Sequence, residues 1–187
     1  MTTHDVGADL SKLILGFHMS QAIHVAATLG LADRLASGPK TSDELAAATN
    51  THPMALYRLM RALAAAGIFR EHNDRRFELT PVGELLRSAI AGTQAPMARL
   101  VGRPSYWQAW GNLPYAVRTG STAFDHVHGY GVWEHRASHP EEGQVFDRAM
   151  AARTEQFAEA ALAACDFSRF AHVVDVGGGD GTFLAKI

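Results

Sequence analysis

The sequence feature that most constrains the fold is a glycine-rich run at residues 175–181 (Asp-Val-Gly-Gly-Gly-Asp-Gly). Before it, residues 171–176 (Ala-His-Val-Val-Asp-Val) indicate a strand with valines on both faces, which is typical of a parallel strand covered by helices. After it, residues 182–185 (Thr-Phe-Leu-Ala) indicate the first turn of a helix. Strand, glycine turn and helix form the half-unit that binds nucleotides. We therefore predict that an α/β, Rossmann-like domain begins here.

The spacing of the glycines indicates which ligand this loop would bind. The dinucleotide fingerprint is Gly-x-Gly-x-x-Gly. Gly177 and Gly179 fit it, but its last position falls on Thr182. Asp175, two positions before the first glycine, would repel a pyrophosphate, whereas it suits the ammonium of a methionyl group. The glycines let the backbone approach a ligand and permit positive φ, so we expect a methionyl cofactor rather than a dinucleotide.

The N-terminal segment is predicted to be helical and to form a subunit interface. Leu10, Leu13, Ile14 and Phe17 recur at helical spacing, and apolar or small residues cover more than one face of residues 21–35. A helix that is apolar on several sides must be buried on several sides, and a monomer of this size offers few such places. The alternative is a central helix of an ordinary core.

Residues 38–86 follow the element order of a winged helix. A capping box of Thr41 and Glu44 begins a short helix. Pro53 opens a second helix, which Gly67 is placed to end. The predicted buried stripe of that helix is Leu56, Leu59, Met60 and Leu63.

Two short strands complete this predicted winged helix, at residues 68–69 and 77–79 with a polar hairpin tip between them, and Thr80 then begins a last short helix. Arg58 and Arg61 are the only arginines on the candidate recognition helix, and the formal net charge is -2. Sequence-independent affinity for DNA comes from many contacts between basic side chains and phosphates. We therefore favour dimer contacts over DNA binding and expect no nucleic-acid partner, with a winged-helix DNA-binding regulator as the alternative.

Aromatic residues are concentrated in residues 94–142, where prolines and glycines interrupt the pattern. They are Trp107, Trp110, Trp133, Tyr106, Tyr115, Phe124 and Tyr130. Such residues can line a pocket for a flat ligand or form the core of a helical layer. His126 and His128 lie on a predicted loop without a third ligand, so we expect no metal site. Pro140 then begins a helix that continues past residue 160.

Composition places the chain among soluble, cytoplasmic proteins. Cys165 is the only cysteine, which excludes an intrachain disulfide and suits a reducing compartment. The first residues lack the pattern of a signal peptide. No apolar run approaches the roughly 20 residues that a membrane span requires, so we expect no membrane association.

Four sequence markers in this order resemble the small-molecule O-methyltransferases with an N-terminal dimerisation domain, a family that includes plant phenolic, acetylserotonin and bacterial polyketide-tailoring enzymes. The markers are residues 56–63 with 67–69, residues 77–80, residues 146–150 and residues 173–181. The resemblance implies a mainly α architecture in three parts. These are a winged-helix-like dimerisation domain (1–92), a helical linker lining the acceptor pocket (93–164) and the start of a truncated, Rossmann-like S-adenosylmethionine-binding domain (165–187).

The resemblance also implies the roles of particular residues. The implied cofactor contacts are Asp175, Gly177, Gly178, Gly179, Gly181 and Thr154. The implied acceptor pocket contains Trp133, Phe146 and Met150. No residue matches the family's catalytic histidine, which is expected beyond Ile187.

The implied function is S-adenosylmethionine-dependent methylation of a hydroxyl on a small aromatic or polyketide-like molecule in secondary metabolism, by a homodimer formed through the N-terminal helices. We expect the chain alone to be inactive. A non-catalytic dimerisation subunit of a methyltransferase is a further alternative.

Overall fold

The computed structural model describes residues 5–187, so the first four residues, where the sequence predicts no signal peptide, lie outside it. The chain forms two units, of which the first ends at Arg87 and the second spans Ser88–Ile187. It is mostly helical, as predicted, with one small three-stranded sheet. The division at residues 92 and 164 stays a prediction. None of the helices within residues 5–187 is long and apolar enough to cross a bilayer.

The first unit combines five helices with the small sheet. Its elements are α1 (Val6–Thr28), α2 (Leu31–Leu35), β1 (Lys40–Thr41), α3 (Ser42–Thr49), α4 (Pro53–Ala65), β2 (Phe69–Glu71), β3 (Arg76–Leu79) and α5 (Pro81–Glu84). The sheet order is β1-β3-β2, and both pairings are antiparallel. The predicted hairpin is β2–β3, with Phe69 opposite Leu79. The third strand, β1, was not expected from the sequence because two residues are too few for a periodic pattern.

The N-terminal helix α1 is shorter than the apolar pattern predicts. Asp5 caps its start by accepting hydrogen bonds from the amides of Gly7 and Ala8 at 3.0 and 3.1 Å. The helix is interrupted before α2, where Gly30 adopts φ 63°. Residues 21–35 are therefore two helices rather than one. Most large apolar side chains of α1 are exposed, namely Val6, Leu10, Leu13, Ile14, Leu15, Phe17 and Val25.

Local signals explain helices α3 and α4. In the predicted capping box, the Thr41 amide donates to Glu44 at 2.7 Å and the Glu44 amide donates to the Thr41 hydroxyl at 3.2 Å. Helix α4 ends at Ala65, and Gly67 follows with φ 78°, as expected. Of the predicted stripe, Leu56, Met60 and Leu63 are buried, while Leu59 is only partly buried.

The core of the first unit joins these helices to the sheet. Its largest fully buried side chains are Phe69, Phe77, Leu31, Leu45, Met60 and Leu63. Gly83 of α5 packs directly against the backbone at Ile68, where a Cβ would overlap the Ile68 carbonyl oxygen. The Thr80 hydroxyl lies 2.7 Å from the carbonyl oxygen of Gly67 and accepts a hydrogen bond from the Gly83 amide at 3.1 Å. These contacts fix α5 against the start of the hairpin.

The second unit is helical. Its helices are α6 (Ala95–Val101), α7 (Pro104–Gly111), α8 (Leu113–Thr119), α9 (Ala123–His128), α10 (Val132–Ser138) and α11 (Pro140–Ala164). The aromatic stretch expected on irregular backbone is thus five short helices. His126 and His128, expected on a loop, lie in the last turn of α9. The prolines that suggested interruption instead occupy first turns, where a missing N–H costs nothing.

The strand predicted at residues 171–176 does not form. No strand is present anywhere in residues 88–187 to pair with this segment, and an extended backbone without a neighbour gains no ladder hydrogen bonds. Val174 and Val176 are accordingly 82% and 92% exposed. The predicted helical turn appears as a 3-10 turn at Leu184–Lys186.

Candidate functional site

Helix α11 forms one wall of the candidate site. Phe146, Met150, Thr154, Ala158 and Ala161 lie on one side of it because residues three or four apart share a helix face. All five line a cleft of about 690 Å³ in the second unit. The 25-residue length of α11 gives this wall an unbroken helical framework.

The rest of the cleft lining comes mainly from the glycine-rich loop and from α10. The structure brings together nearly all of the residues predicted for cofactor and acceptor. Those that line the cleft are Asp175, Gly177, Gly178, Gly179, Thr154, Trp133, Phe146 and Met150. Gly181 does not line it. Their individual roles as ligand contacts stay predictions.

Other residues line the same cleft without having been singled out from the sequence as part of a site. They are Asp147, Ala151, Phe157, Ala158, Ala161, Asp180 and Phe183. Arg153, which the sequence indicates beside Thr154 as a possible polar contact, also lines the cleft. Helical periodicity carried forward from Phe146 would have indicated Phe157, Ala158 and Ala161. Of the seven aromatic residues noted in residues 94–142, Trp133 alone lines the cleft.

The glycine loop owes its shape to residues without side chains. Gly177, Gly179 and Gly181 adopt φ of 78°, 61° and 78°, in the left-handed region that disfavours other residues. A Cβ at Gly178 would overlap the Asp175 carboxylate. No heavy atom lies within 4 Å of where a Cβ would stand at Gly177 or Gly179. The loop therefore presents open backbone toward the cleft.

Acidic side chains accompany the loop. The Thr182 hydroxyl and amide donate to the Asp180 carboxylate at 2.6 and 3.1 Å. These two hydrogen bonds, from the hydroxyl first and then the amide, lower the pKa of Asp180. Asp180 therefore stays ionised at neutral pH. Together with Asp175 it makes the loop end of the cleft negative, and Arg153 on α11 is the cation that lines the cleft.

The other end of the cleft is aromatic. The rings of Trp133 and Phe146 meet edge to face, with centroids 5.8 Å apart and an interplanar angle of 88°. The Arg136 guanidinium lies 3.4 Å from the centroid of Phe146 and 4.7 Å from that of Trp133. The cleft thus has an acidic, glycine-lined end and an aromatic end.

A histidine cluster lies in the same unit but does not line the cleft. The buried ring of His135 is 5.1 Å from that of His128 and 4.2 Å from that of His139, centroid to centroid. Burial is the first cause that lowers the pKa of His135, followed by the nearby His139. Within residues 5–187, no group of three or more His, Cys, Asp or Glu side chains is arranged to hold a metal ion.

The arginines of the winged-helix-like region are largely engaged with other side chains. Arg61 pairs with Glu71 at 3.5 Å, and Arg70 pairs with Glu78 at 2.7 Å. Arg75 lies over the ring of Tyr57 at 5.4 Å. Cations that are already neutralised are poorly placed to replace the counterions of DNA phosphates.

Two family models match the chain. An O-methyltransferase dimerisation domain matches residues 11–88, and an O-methyltransferase domain matches residues 110–187. The two matches lie in the order that the sequence markers predict.

Individual relatives agree with the family models. The phenazine O-methyltransferase PhzM of Lysobacter antibioticus is 39% identical over 178 residues, which are 95% of this chain and 52% of that protein. The crystal structure of LaPhzM has a TM-score of 0.92 at 38% identity, over 96% of this chain and 54% of that one. NcsB1, solved with S-adenosyl-L-homocysteine and 1,4-dihydroxy-2-naphthoic acid, has a TM-score of 0.73 at 35% identity, over 89% and 51%.

The fold and its structural neighbours define a methyltransferase-type chain. More particularly, the chain belongs to the O-methyltransferase family whose members carry an N-terminal dimerisation domain, as the sequence predicts. It spans about half the length of the curated relatives that it matches.

Proposed function

We propose that this chain takes part in S-adenosylmethionine-dependent methylation of a hydroxyl on a small aromatic or polyketide-like molecule in secondary metabolism. The observation that carries the proposal is the single cleft shared by the glycine loop, Thr154 and the aromatic residues Trp133 and Phe146. Its volume of about 690 Å³ is of the size that holds a small-molecule ligand. The cytoplasmic location stays a prediction.

The glycine loop fits the methionyl part of S-adenosylmethionine. Gly177 and Gly179 leave room beside the backbone that side chains would fill. Asp175 would pair with the ammonium, and Thr154 across the cleft would bind nearby polar atoms. When bound, the cofactor supplies the methyl group on its sulfonium.

The chain's own residues would orient the two reactants. A flat acceptor would be held at the aromatic end by Phe146, Met150 and Trp133. Along α11, Met150 lies about one helical turn from Thr154 and Phe146 about two turns. Holding the two reacting groups in line raises the reaction rate, because binding has already met the entropy cost of bringing them together. We assign the base that removes the acceptor's proton to no residue of this chain, and we expect the chain alone to be inactive. Methyl transfer by the purified chain would contradict that expectation.

We further propose that α1 mediates homodimer formation. Its exposed apolar side chains form a surface that is costly to leave in water; they include Leu10, Leu13, Ile14 and Phe17. The match to a dimerisation domain over residues 11–88 supports this role. The alternative of a non-catalytic dimerisation subunit would be favoured if a complete methyltransferase co-purified and required this chain for activity.

Calorimetric titration of the purified chain with S-adenosylhomocysteine tests the cofactor assignment. Asp175→Asn should weaken binding roughly tenfold or more, because it removes a charged hydrogen-bonding partner. Asp125→Asn is the matched control, since Asp125 is exposed on α9 and does not line the cleft. Equal affinities of the D175N and D125N variants, or no binding by the unmodified chain, would count against the proposal.

A further inference from the structure

Arg136 stands in an unusual position beside the cleft. It lies on α10 and stacks on Phe146 of α11 at 3.4 Å and on Trp133 at 4.7 Å, measured from its guanidinium carbon to the ring centroids. Both rings line the cleft, whereas Arg136 does not. The cation therefore contacts the aromatic wall without being part of the cleft lining.

The surroundings keep this cation in place. Tyr106 of α7 and the carboxylates of Asp147 and Glu142 favour the charged form of the guanidinium. Glu142 is itself held by Arg103 at 2.8 Å and by Ser105 at 2.7 Å. Burial lowers the pKa of Arg136, yet a guanidinium remains protonated at neutral pH. A permanent positive charge thus lies against the π-faces of two rings.

A cation on one face of an aromatic ring changes what the other face prefers. It attracts the π-electrons of the ring, which leaves the cleft face less negative and a better partner for an electron-rich aromatic system. The charge also favours an anion in the cleft. The acidic loop at Asp175 and Asp180 has the opposite preference, as does Asp147, which follows Phe146 and also lines the cleft. Arg136 is therefore the group that would turn the Trp133–Phe146 wall toward an anion.

We propose that Arg136 is a specificity-determining positioning residue, which makes the Trp133–Phe146 wall prefer an anionic aromatic acceptor, a phenolate or aryl carboxylate, over its uncharged counterpart. This inference rests on the proposed function of the cleft. A purely structural role, in which Arg136 only ties α7, α10 and α11 together, predicts that its removal lowers the affinity for charged and uncharged ligands equally. The two roles therefore differ in the ratio of the affinity for the anionic ligand to that for the uncharged ligand.

The test compares two probes on the purified chain, 1,4-dihydroxy-2-naphthoate and its uncharged carboxamide, by quenching of tryptophan fluorescence. Arg136→Leu should reduce the preference for the carboxylate by about threefold to tenfold, because it replaces the cation with an apolar side chain. Arg136→Lys should keep most of the preference, since it retains the charge. Arg118→Leu, which removes an exposed cation from α8, should leave the preference unchanged.

Several outcomes would overturn the proposal. One is a preference for the carboxylate over the carboxamide that is unchanged in R136L. Another is a loss of that preference in R136K while circular dichroism shows that the variant is folded. If R136L does not fold, Arg136→Gln, which also removes the positive charge, takes its place, and an unchanged ratio in that variant would equally overturn the proposal. Failure of the unmodified chain to bind either probe would also overturn it. A parallel titration with S-adenosylhomocysteine, which should be the same for every variant, shows whether the cofactor part of the proposed function survives that failure.

Discussion

Phe69 and Phe77 in the first unit are 1% and 0% exposed, whereas Phe157 in the second unit is 58% exposed and borders an open cleft. The same residue type therefore serves two purposes. In the first unit it is enclosed on all sides by α2, α3, α4 and the hairpin, and its apolar area contributes to stability. In the second unit it keeps its surface available for a ligand.

The buried residues extend this contrast. Every large, fully buried side chain noted for residues 5–187 belongs to the first unit. In the second unit, the buried apolar residues are mainly alanines, and Thr93, Ser105 and His135 are buried polar residues. A unit that leaves aromatic surface for a ligand depends more on small residues and on polar contacts for its own stability.

The largest effect is expected from truncating a core phenylalanine. Phe77→Ala should lower the free energy of unfolding by about 3–5 kcal/mol, because it leaves a cavity in a closed core. Phe157→Ala should cost about 0.5 kcal/mol or less, as is usual for exposed positions, but should weaken S-adenosylhomocysteine binding. Urea denaturation and calorimetry measure the two effects. Equal stability losses in both variants would show that the two units do not differ in this way.

A smaller effect is expected at two helical glycines. Gly83→Ala should destabilise the chain by about 1–3 kcal/mol, because the new methyl group would overlap the Ile68 carbonyl oxygen. Gly143→Ala on α11 meets the carbonyl oxygen of Arg136 at 3.4 Å and its Cβ at 3.8 Å. Both are ordinary van der Waals contacts, so the gain in helix propensity of about 0.5–1 kcal/mol should dominate. Thermal unfolding followed by circular dichroism distinguishes these signs. A stabilising G83A would contradict the close packing at α5.

The smallest effect concerns pH and the buried His135. Its pKa is lowered from 6.5 by burial first and then by His139, while Glu142 acts in the opposite direction and His128 and Arg136 lower it further. The unfolded chain then binds more protons than the folded one as pH falls below about 6.5. The contribution of the neutral His135 to the free energy of unfolding should therefore be complete above that pH and be lost progressively below it. His135→Phe should reduce this pH dependence, and identical urea midpoints against pH in both proteins would contradict the assignment.

Local rules were sufficient where a few neighbouring residues decide the structure. Thr41 and Glu44 gave the start of α3, Pro53 and Gly67 gave the limits of α4, and the polar tip gave the hairpin. Each of these depends on hydrogen bonds or backbone preferences within a few positions. The same is true of the spacing that brought Phe146, Met150 and Thr154 to one face of α11.

Predictions that needed a distant partner were less successful. The strand at residues 171–176 was inferred from composition, but a strand exists only beside another strand, and residues 88–187 contain none. The five helices in residues 94–142 were obscured because proline in a first turn looks like a breaker in the sequence. Arg136 was missed because its importance comes from rings that pack against it in three dimensions.

The continuity of α11 has one more consequence. Thr154 lies eight positions after Phe146, which is about 12 Å along the helix axis. The helix therefore fixes the distance between the residues proposed to contact the acceptor ring and the residue proposed to contact the cofactor. It also fixes their angular positions around the helix axis, since each residue turns the helix by about 100°. A single inserted residue between these two positions would move one end of the cleft to a different side of the helix, although every side chain would still be present.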